Sequence, residues 1–261
     1  MDQQIIWITG ASSGIGEALA INYSKKGDKL ILSARNQQKL EEVKSKCAYP
    51  ENVRILNLDL NNTESFPYKV DEAWNLFGKI DILINSGGVS QRGLGLNTSL
   101  KTELEIMNVN FWGSVVLSKA LINKMIPLKS GQIVCISSLV GKFGTKFRST
   151  YSASKHALHG YFDSLRAELF ESGIKFTIIC PGFIRTDVSI NALTESGNKQ
   201  GTMDDAQDNG MPPDVFAKKA ISAISKHKEE VYIGGKEVLG VYLKRWVPLF
   251  FSKFMRKAKV V

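Results

Sequence analysis

Apolar positions along this chain fall into two alternating patterns. Short runs rich in isoleucine, valine and leucine are separated by longer stretches in which apolar residues recur three or four positions apart. A run apolar on both faces suits a strand buried in a parallel sheet, and the helical period suits the elements that cover it. Strands are predicted over 5–9, 29–34, 53–58, 80–85, 131–137, 175–180 and 230–233. Helices are predicted after a glycine turn near Ser13 and over 36–46, 65–77, 104–125, 151–172 and 213–226, with Gly173 as a C-cap. The fold class expected is α/β, a seven-stranded parallel sheet, doubly wound, with helices on both faces.

One stretch breaks the alternation. Segment 189–211 is polar, contains three glycines and has no apolar period. A loop that long inside a compact domain is usually functional, so a mobile substrate lid is expected over about 187–212. The chain of 261 residues then reads as one domain over 1–237 with a basic, aromatic extension of the same domain over 238–261.

Composition narrows the function classes. Apolar residues make up 43% and charged residues 23% of the chain, ordinary values for a globular protein. The net charge of +9 is dispersed over helix faces, which argues against a nucleic-acid partner. Cys47, Cys135 and Cys180 are odd in number and far apart, and are expected to be reduced core thiols. Met1 to Gln4 run straight into the first strand, so no leader is expected and the location expected is cytosolic. Past Glu237 the charged residues are all basic: Lys244, Arg245, Lys253, Arg256, Lys257 and Lys259 alternate with Trp246, Leu249, Phe250, Phe251 and Phe254. That tail reads either as an amphipathic helix on an anionic membrane surface or as a segment packed over the cleft or a subunit interface. Lys244, Arg245 and Pro248 interrupt it too often for a membrane span.

The first strand ends in Thr9, Gly10, Ala11, Ser12, Ser13, Gly14, Ile15 and Gly16. The three glycines permit a tight turn, close approach to a diphosphate and packing of the next helix. The backbone N–H groups from Ser12 to Ile15 meet an anion at the positive end of the helix dipole. This is the chemistry of a dinucleotide site in a Rossmann-type domain. The second strand ends at Ala34 and Arg35 with no acid to accept ribose hydroxyls. A guanidinium there suits a 2'-phosphate, so NADP(H) is favoured over NAD(H).

Hydride transfer to a carbonyl leaves an oxygen that must gain a proton, which requires a general acid. Tyr151 begins the run Tyr-Ser-Ala-Ser-Lys, and Lys155, four residues on, shares its helix face. A cation there favours the phenolate and reaches the nicotinamide ribose. Ser138 ends the fifth strand at the carboxyl edge of the sheet, where its hydroxyl can donate to a developing oxyanion, whereas Ser137 points the other way. His156, His159 and His227 have no partners at metal-ligand spacing and read as surface or packing residues, so no metal is expected.

The glycine turn, the Ser138, Tyr151 and Lys155 spacing and the Pro181-Gly182 pair at the sixth strand resemble the short-chain dehydrogenase/reductase family. The resemblance runs from Ile5 to about Gly235 and implies an NAD(P)-dependent oxidoreductase acting on a carbonyl or secondary alcohol. It places Asp59 and Leu60 at the adenine, Asn85 and Gly87 on the cofactor wall, and Pro181, Ile184 and Thr186 at the nicotinamide carboxamide. It also makes Asn110 a fourth catalytic residue, one that holds a proton-relay water; without it Asn110 reads as a helix asparagine facing solvent. Residues 86–93 and 154–158 are similar to the dehydrogenase/reductase member seven group, relatives of 11β-hydroxysteroid dehydrogenase. A small lipophilic carbonyl or alcohol substrate, steroid-like or retinoid-like, and a homodimer or homotetramer are implied. Two other readings stay open on the sequence. One is an NADPH-binding regulator without turnover; the other is an extended-type epimerase or dehydratase, against which the glycine spacing and chain length argue.

Overall fold

The computed structural model describes residues 3–258, so Met1, Asp2 and Lys259 of the sequence reading lie outside the described residues. Seven parallel strands form one sheet in the order β3-β2-β1-β4-β5-β6-β7. They are β1 (Ile5–Thr9), β2 (Lys29–Ala34), β3 (Val53–Asn57), β4 (Ile82–Asn85), β5 (Gly131–Ile136), β6 (Ile174–Pro181) and β7 (Glu230–Ile233). Every strand predicted from the apolar runs is present; β1, β2 and β7 have the predicted bounds and the others differ at one or both ends by one or two residues.

Helices cover both faces, as parallel strands require. On one face α3 (Phe66–Phe77), α5 (Gly113–Met125) and α6 (Ser149–Glu168) pack with Trp7, Leu83, Ile133 and Phe176 of the strands. On the other, α1 (Gly14–Ser24), α2 (Gln37–Lys46) and α8 (Pro213–Ser225) bury Leu19, Leu40 and Phe216 against Ile8, Leu32 and Ile84. Trp7 is fully buried, and its indole N–H donates to Ser33 Oγ at 2.8 Å, which ties β1 to β2 across the apolar layer.

The strand order reverses at β1. The chain runs outward through β2 and β3, then crosses back to place β4 on the other side of β1, with Thr9 beside Asn85. Open α/β sheets bind ligands at such a switch point because the two loops diverge there.

Two helices differ from expectation. The segment predicted as one helix over 104–125 begins earlier, at α4 (Leu100–Met107), where Ser99 caps it by accepting from Thr102 N at 3.2 Å. A single π turn, Asn108–Trp112, then separates α4 from α5. The helix predicted over 151–172 starts at Ser149 and ends in a 3₁₀ turn, Phe170–Ser172, before Gly173 at φ 79°. The segment expected to be a lid contains one short helix, α7 (Asp205–Asp208), and the tail forms α9 (Leu239–Trp246) and α10 (Pro248–Lys257). Among the described residues no helix is long and apolar enough to cross a membrane.

Replacing Ser33 by alanine leaves the buried Trp7 indole N–H without its partner, an expected loss of about 1–3 kcal/mol. Urea unfolding checks it: the midpoint should fall with an unchanged slope, and an unchanged midpoint would count against this bond as a tie between strands.

Candidate active site

The carboxyl ends of the strands open into one cleft of about 1110 Å³. Its floor is made by two backbones crossing almost in contact. Gly10, at φ 64°, lies where a Cβ would come within 2.6 Å of Gly87 Cα, and a Cβ on Gly16 would meet Gly10 O at 2.3 Å. Only glycine permits both approaches. Thr9 Oγ1 holds the crossing together, accepting from Ser86 N and Gly87 N, each at 3.2 Å. Ser13 stands at the N-cap of α1 with no side-chain capping bond, so the first turn of that helix faces the cleft uncapped. Ser12, Ser13, Gly14 and Ile15 line that part of the wall, and Arg35 stands at its far end with Asp59 and Leu60.

Ser138, Tyr151 and Lys155 meet at the other end. Ser138 follows β5 on extended backbone and its Oγ accepts from Val140 N at 3.3 Å. Tyr151 is the third residue of α6 and shares a hydrogen bond with Ser138. Although the residue stays partly exposed along the cleft, desolvation dominates the phenol and raises its pKa; the Ser138 bond and the charges of Arg148 and Arg92 act against it. Lys155 is buried, with Nζ 5.7 Å from the Tyr151 ring centre and donating to Ile136 O at 2.9 Å. Desolvation lowers its pKa to about 8, against the nearby Cys135 and Cys180. In this arrangement the charges that oppose desolvation of the phenol come from two arginines, Arg148 and Arg92, while the helix lysine that the sequence pointed to stands 5.7 Å from the ring centre.

The three cysteines are free and buried, and burial pushes the Cys135 thiol up to about 12. His159, read as surface or packing, is buried beneath the cleft. It contacts Ser137 Oγ at 3.0 Å and Glu230 Oε2 at 3.1 Å, linking α6 to β5 and β7.

The structure brings most of the expected site residues to the cleft, with two exceptions. Asn85 turns inward, away from the cofactor wall, and its Nδ2 donates to Ser118 Oγ on α5 at 2.9 Å. The reason is register: Asn85 is still in β4, so alternation directs its side chain into the layer under the sheet. Asn110 is fully buried, not solvent-facing. Its Oδ1 accepts from Val89 N at 2.8 Å, and its Nδ2 donates to Val89 O and Ser154 Oγ. The wider π turn that carries Asn110 clamps the loop after β4 to α6.

The family described as short chain dehydrogenase matches residues 4–196. The chain belongs to that family. It is 40% identical to a dehydrogenase/reductase SDR family protein 7-like of Anopheles gambiae, over 98% of this chain and 83% of that one. It is 39% identical to dehydrogenase/reductase SDR family member 7 of Mus musculus, over 95% and 75%. A short-chain dehydrogenase from Streptomyces avermitilis superposes with a TM-score of 0.84 at 25% identity over 99% of both chains. One from Burkholderia phymatum, crystallised with NAD, agrees in fold with a TM-score of 0.85 at 22% identity over 95% of both.

This short-chain dehydrogenase is therefore an oxidoreductase, and two further residues stand at its site. Lys39, in the first turn of α2, lines the same end of the cleft as Arg35. Gln91 caps α6: its Oε1 accepts from Thr150 N at 2.9 Å and Tyr151 N at 3.2 Å. Gln91 has no local sequence signal, since it acts on a segment about 60 positions away along the chain. The tail packs over the cleft, with Phe251 buried against Phe143 at 5.1 Å between ring centres.

Proposed function

We propose that this short-chain dehydrogenase interconverts a lipophilic ketone or aldehyde and its alcohol with NADP(H). The observation that carries the reading is the Tyr151 phenol, hydrogen-bonded to Ser138 and backed by Lys155, on the same cleft as the glycine crossing. The chain fits a dinucleotide: the uncapped start of α1 suits a diphosphate, and the close crossing of Gly10 and Gly87, which no Cβ would allow, brings the loops after β1 and β4 together beside it. The Ser86 hydroxyl, buried on the cleft wall with no partner in the protein, suits a polar group of such a ligand.

When bound, the nicotinamide supplies or accepts the hydride. In reduction Ser138 donates a hydrogen bond to the carbonyl oxygen, and Tyr151 gives that oxygen its proton, so the alcohol leaves neutral. Lys155 then stands close enough to stabilise the phenolate that remains. Pro181, Ile184 and Thr186 line the wall where the carboxamide would be oriented, with Thr186 against Gly14. Arg35 and Lys39 together favour a 2'-phosphate at the adenosine end. Val140, Phe143, Val188, Leu243 and Phe254 on the substrate side favour an apolar ligand.

The outward face of the tail carries Trp246, Leu249 and Phe250 exposed among Lys244, Arg245, Lys253 and Arg256. Apolar and basic side chains so interleaved favour contact with an anionic membrane surface, from which a lipophilic substrate would enter.

NADPH oxidation across steroid, retinoid and aliphatic ketones tests the reaction. Tyr151→Phe is expected to lose at least about 10²-fold in turnover while binding NADPH unchanged. Arg35→Ala is expected to weaken NADPH binding about 10-fold and leave NADH binding alone. Turnover kept by the first variant, or NADPH affinity kept by the second, contradicts the corresponding assignment. Sedimentation with vesicles tests the tail: the protein should pellet with anionic and not zwitterionic lipid, and lose this on Trp246→Glu with Leu249→Glu. Failure to pellet with either lipid contradicts membrane contact.

A further inference from the structure

One short segment, Ser90, Gln91 and Arg92 in the loop after β4, touches both the lid and the catalytic helix. Toward the lid it makes a parallel bridge: Leu193 N donates to Ser90 O at 2.9 Å and Arg92 N donates to Leu193 O at 2.8 Å. Toward the helix, Gln91 caps Thr150 and Tyr151 and its Nε2 donates to Ser149 Oγ at 3.3 Å. The two loops are so close that a Cβ on Gly93 would meet Glu195 Cγ at 2.5 Å. Phe147, just before α6, takes a left-handed φ of 63°, and its carbonyl accepts from Gly93 N at 3.1 Å. A bulky residue holds that conformation only where its surroundings impose it.

Charge is concentrated at the same junction. Asp204 of the lid is buried and accepts from Arg92 Nε at 2.8 Å, from Arg92 Nη2, and from Arg148 Nη2 at 3.4 Å. Its other oxygen accepts from Gln200 Nε2 at 2.9 Å. Arg92 also donates to Ser90 Oγ and to Gln91 O. Burial works against the Asp204 charge, but the bonds from Arg92 and Gln200 and the charges of both arginines hold its carboxyl below the ordinary range. Arg148 is the N-cap residue of α6, three positions before Tyr151, and both arginines line the cleft that Tyr151 lines.

We propose that Arg92 and Arg148, bridged by Asp204, are positioning residues that couple docking of the lid to the proton-transferring phenol of Tyr151. The inference rests on the reading of Tyr151 as the acid and base of the reaction. With the lid docked, Asp204 holds the two cations in place and offsets part of their charge, while Gln91 fixes the backbone of Tyr151. The charged and titratable groups on the elements packed around Tyr151 are Lys155 and Arg148 on its own helix, Arg92 from the loop after β4, Asp204 on Arg92, Glu103 of α4, which accepts from Thr150 Oγ1 at 2.8 Å, and the Ser138 hydroxyl just beyond β5. Among these, Arg92 and Asp204 can be changed without altering the helix that carries Tyr151 and Lys155.

Carbon-13 NMR of protein labelled at tyrosine Cζ, with Tyr151→Phe assigning the signal, reads the phenol without any substrate. Arg92→Gln removes a cation and is expected to move the Tyr151 titration to higher pH. Asp204→Asn removes the balancing anion and is expected to move it to lower pH. A latch that only packed the lid would admit water to the phenol in both variants and move both to lower pH; that result, or no movement in either, overturns the proposal. Arg92→Lys keeps the charge, is expected to fold, and should leave the titration where it is in the unsubstituted protein; a shift there matching that of Arg92→Gln overturns it as well. Cleavage of the lid by a protease should quicken in Arg92→Gln and Asp204→Asn. Because neither readout needs turnover, opposite shifts in a protein inert toward every ketone would refute the assigned reaction and leave the latch standing, and the converse pattern would do the reverse.

Discussion

Desolvation of a phenol among cations is the constraint around which this molecule is arranged. Buried in isolation, Tyr151 would hold its proton too tightly to exchange it near neutral pH, because burial penalises the phenolate. The neighbours that ease the penalty come from three places along the chain: Ser138 just beyond β5, Arg148 from the N-cap of α6 and Arg92 from the loop after β4. A parallel sheet makes that convergence possible, since all its carboxyl ends meet along one edge. The cost is shared with Lys155, whose own burial lowers its pKa to about 8 and makes its proton more exchangeable.

The cleft depends just as firmly on two glycines. Gly10 and Gly87 bring the loops after β1 and β4 to a separation that no side chain could tolerate, and Thr9 locks them with one hydroxyl. The switch in strand order lies at this crossing, so the fold creates the opening and the glycines set its depth. Above it, the lid and the tail close the sides, the lid through the buried Arg92 and Asp204 pair and the tail through Phe251 on Phe143.

Much of this was legible in the sequence because the signals were local. Strands buried on both faces read as unbroken apolar runs, and the glycine turn, Ser138, Tyr151 and Lys155 sit at spacings that geometry demands. What escaped was set by tertiary contact. The π turn at Asn108 to Trp112 leaves the apolar period of its helix nearly intact, so a single helix was the natural reading. Asn110 appeared solvent-facing by period alone, yet it is buried because the loop at Val89 folds over it. Asn85 was expected on the cofactor wall, but strand alternation takes its side chain to Ser118. Gln91 caps residues about 60 positions away, and Arg92 pairs with a residue 112 positions away; no window of sequence contains either relation.

Proton donation by Tyr151 is tested most directly by the pH profile of ketone reduction with NADPH. The donor must carry its proton, so kcat/KM should hold steady at low pH and fall as pH rises through the apparent pKa of the phenol, while alcohol oxidation rises over the same interval. Any activity left in Tyr151→Phe should lack that limb. A reduction rate indifferent to pH, or a limb that persists at the same pH in Tyr151→Phe, would show that the proton comes from another group.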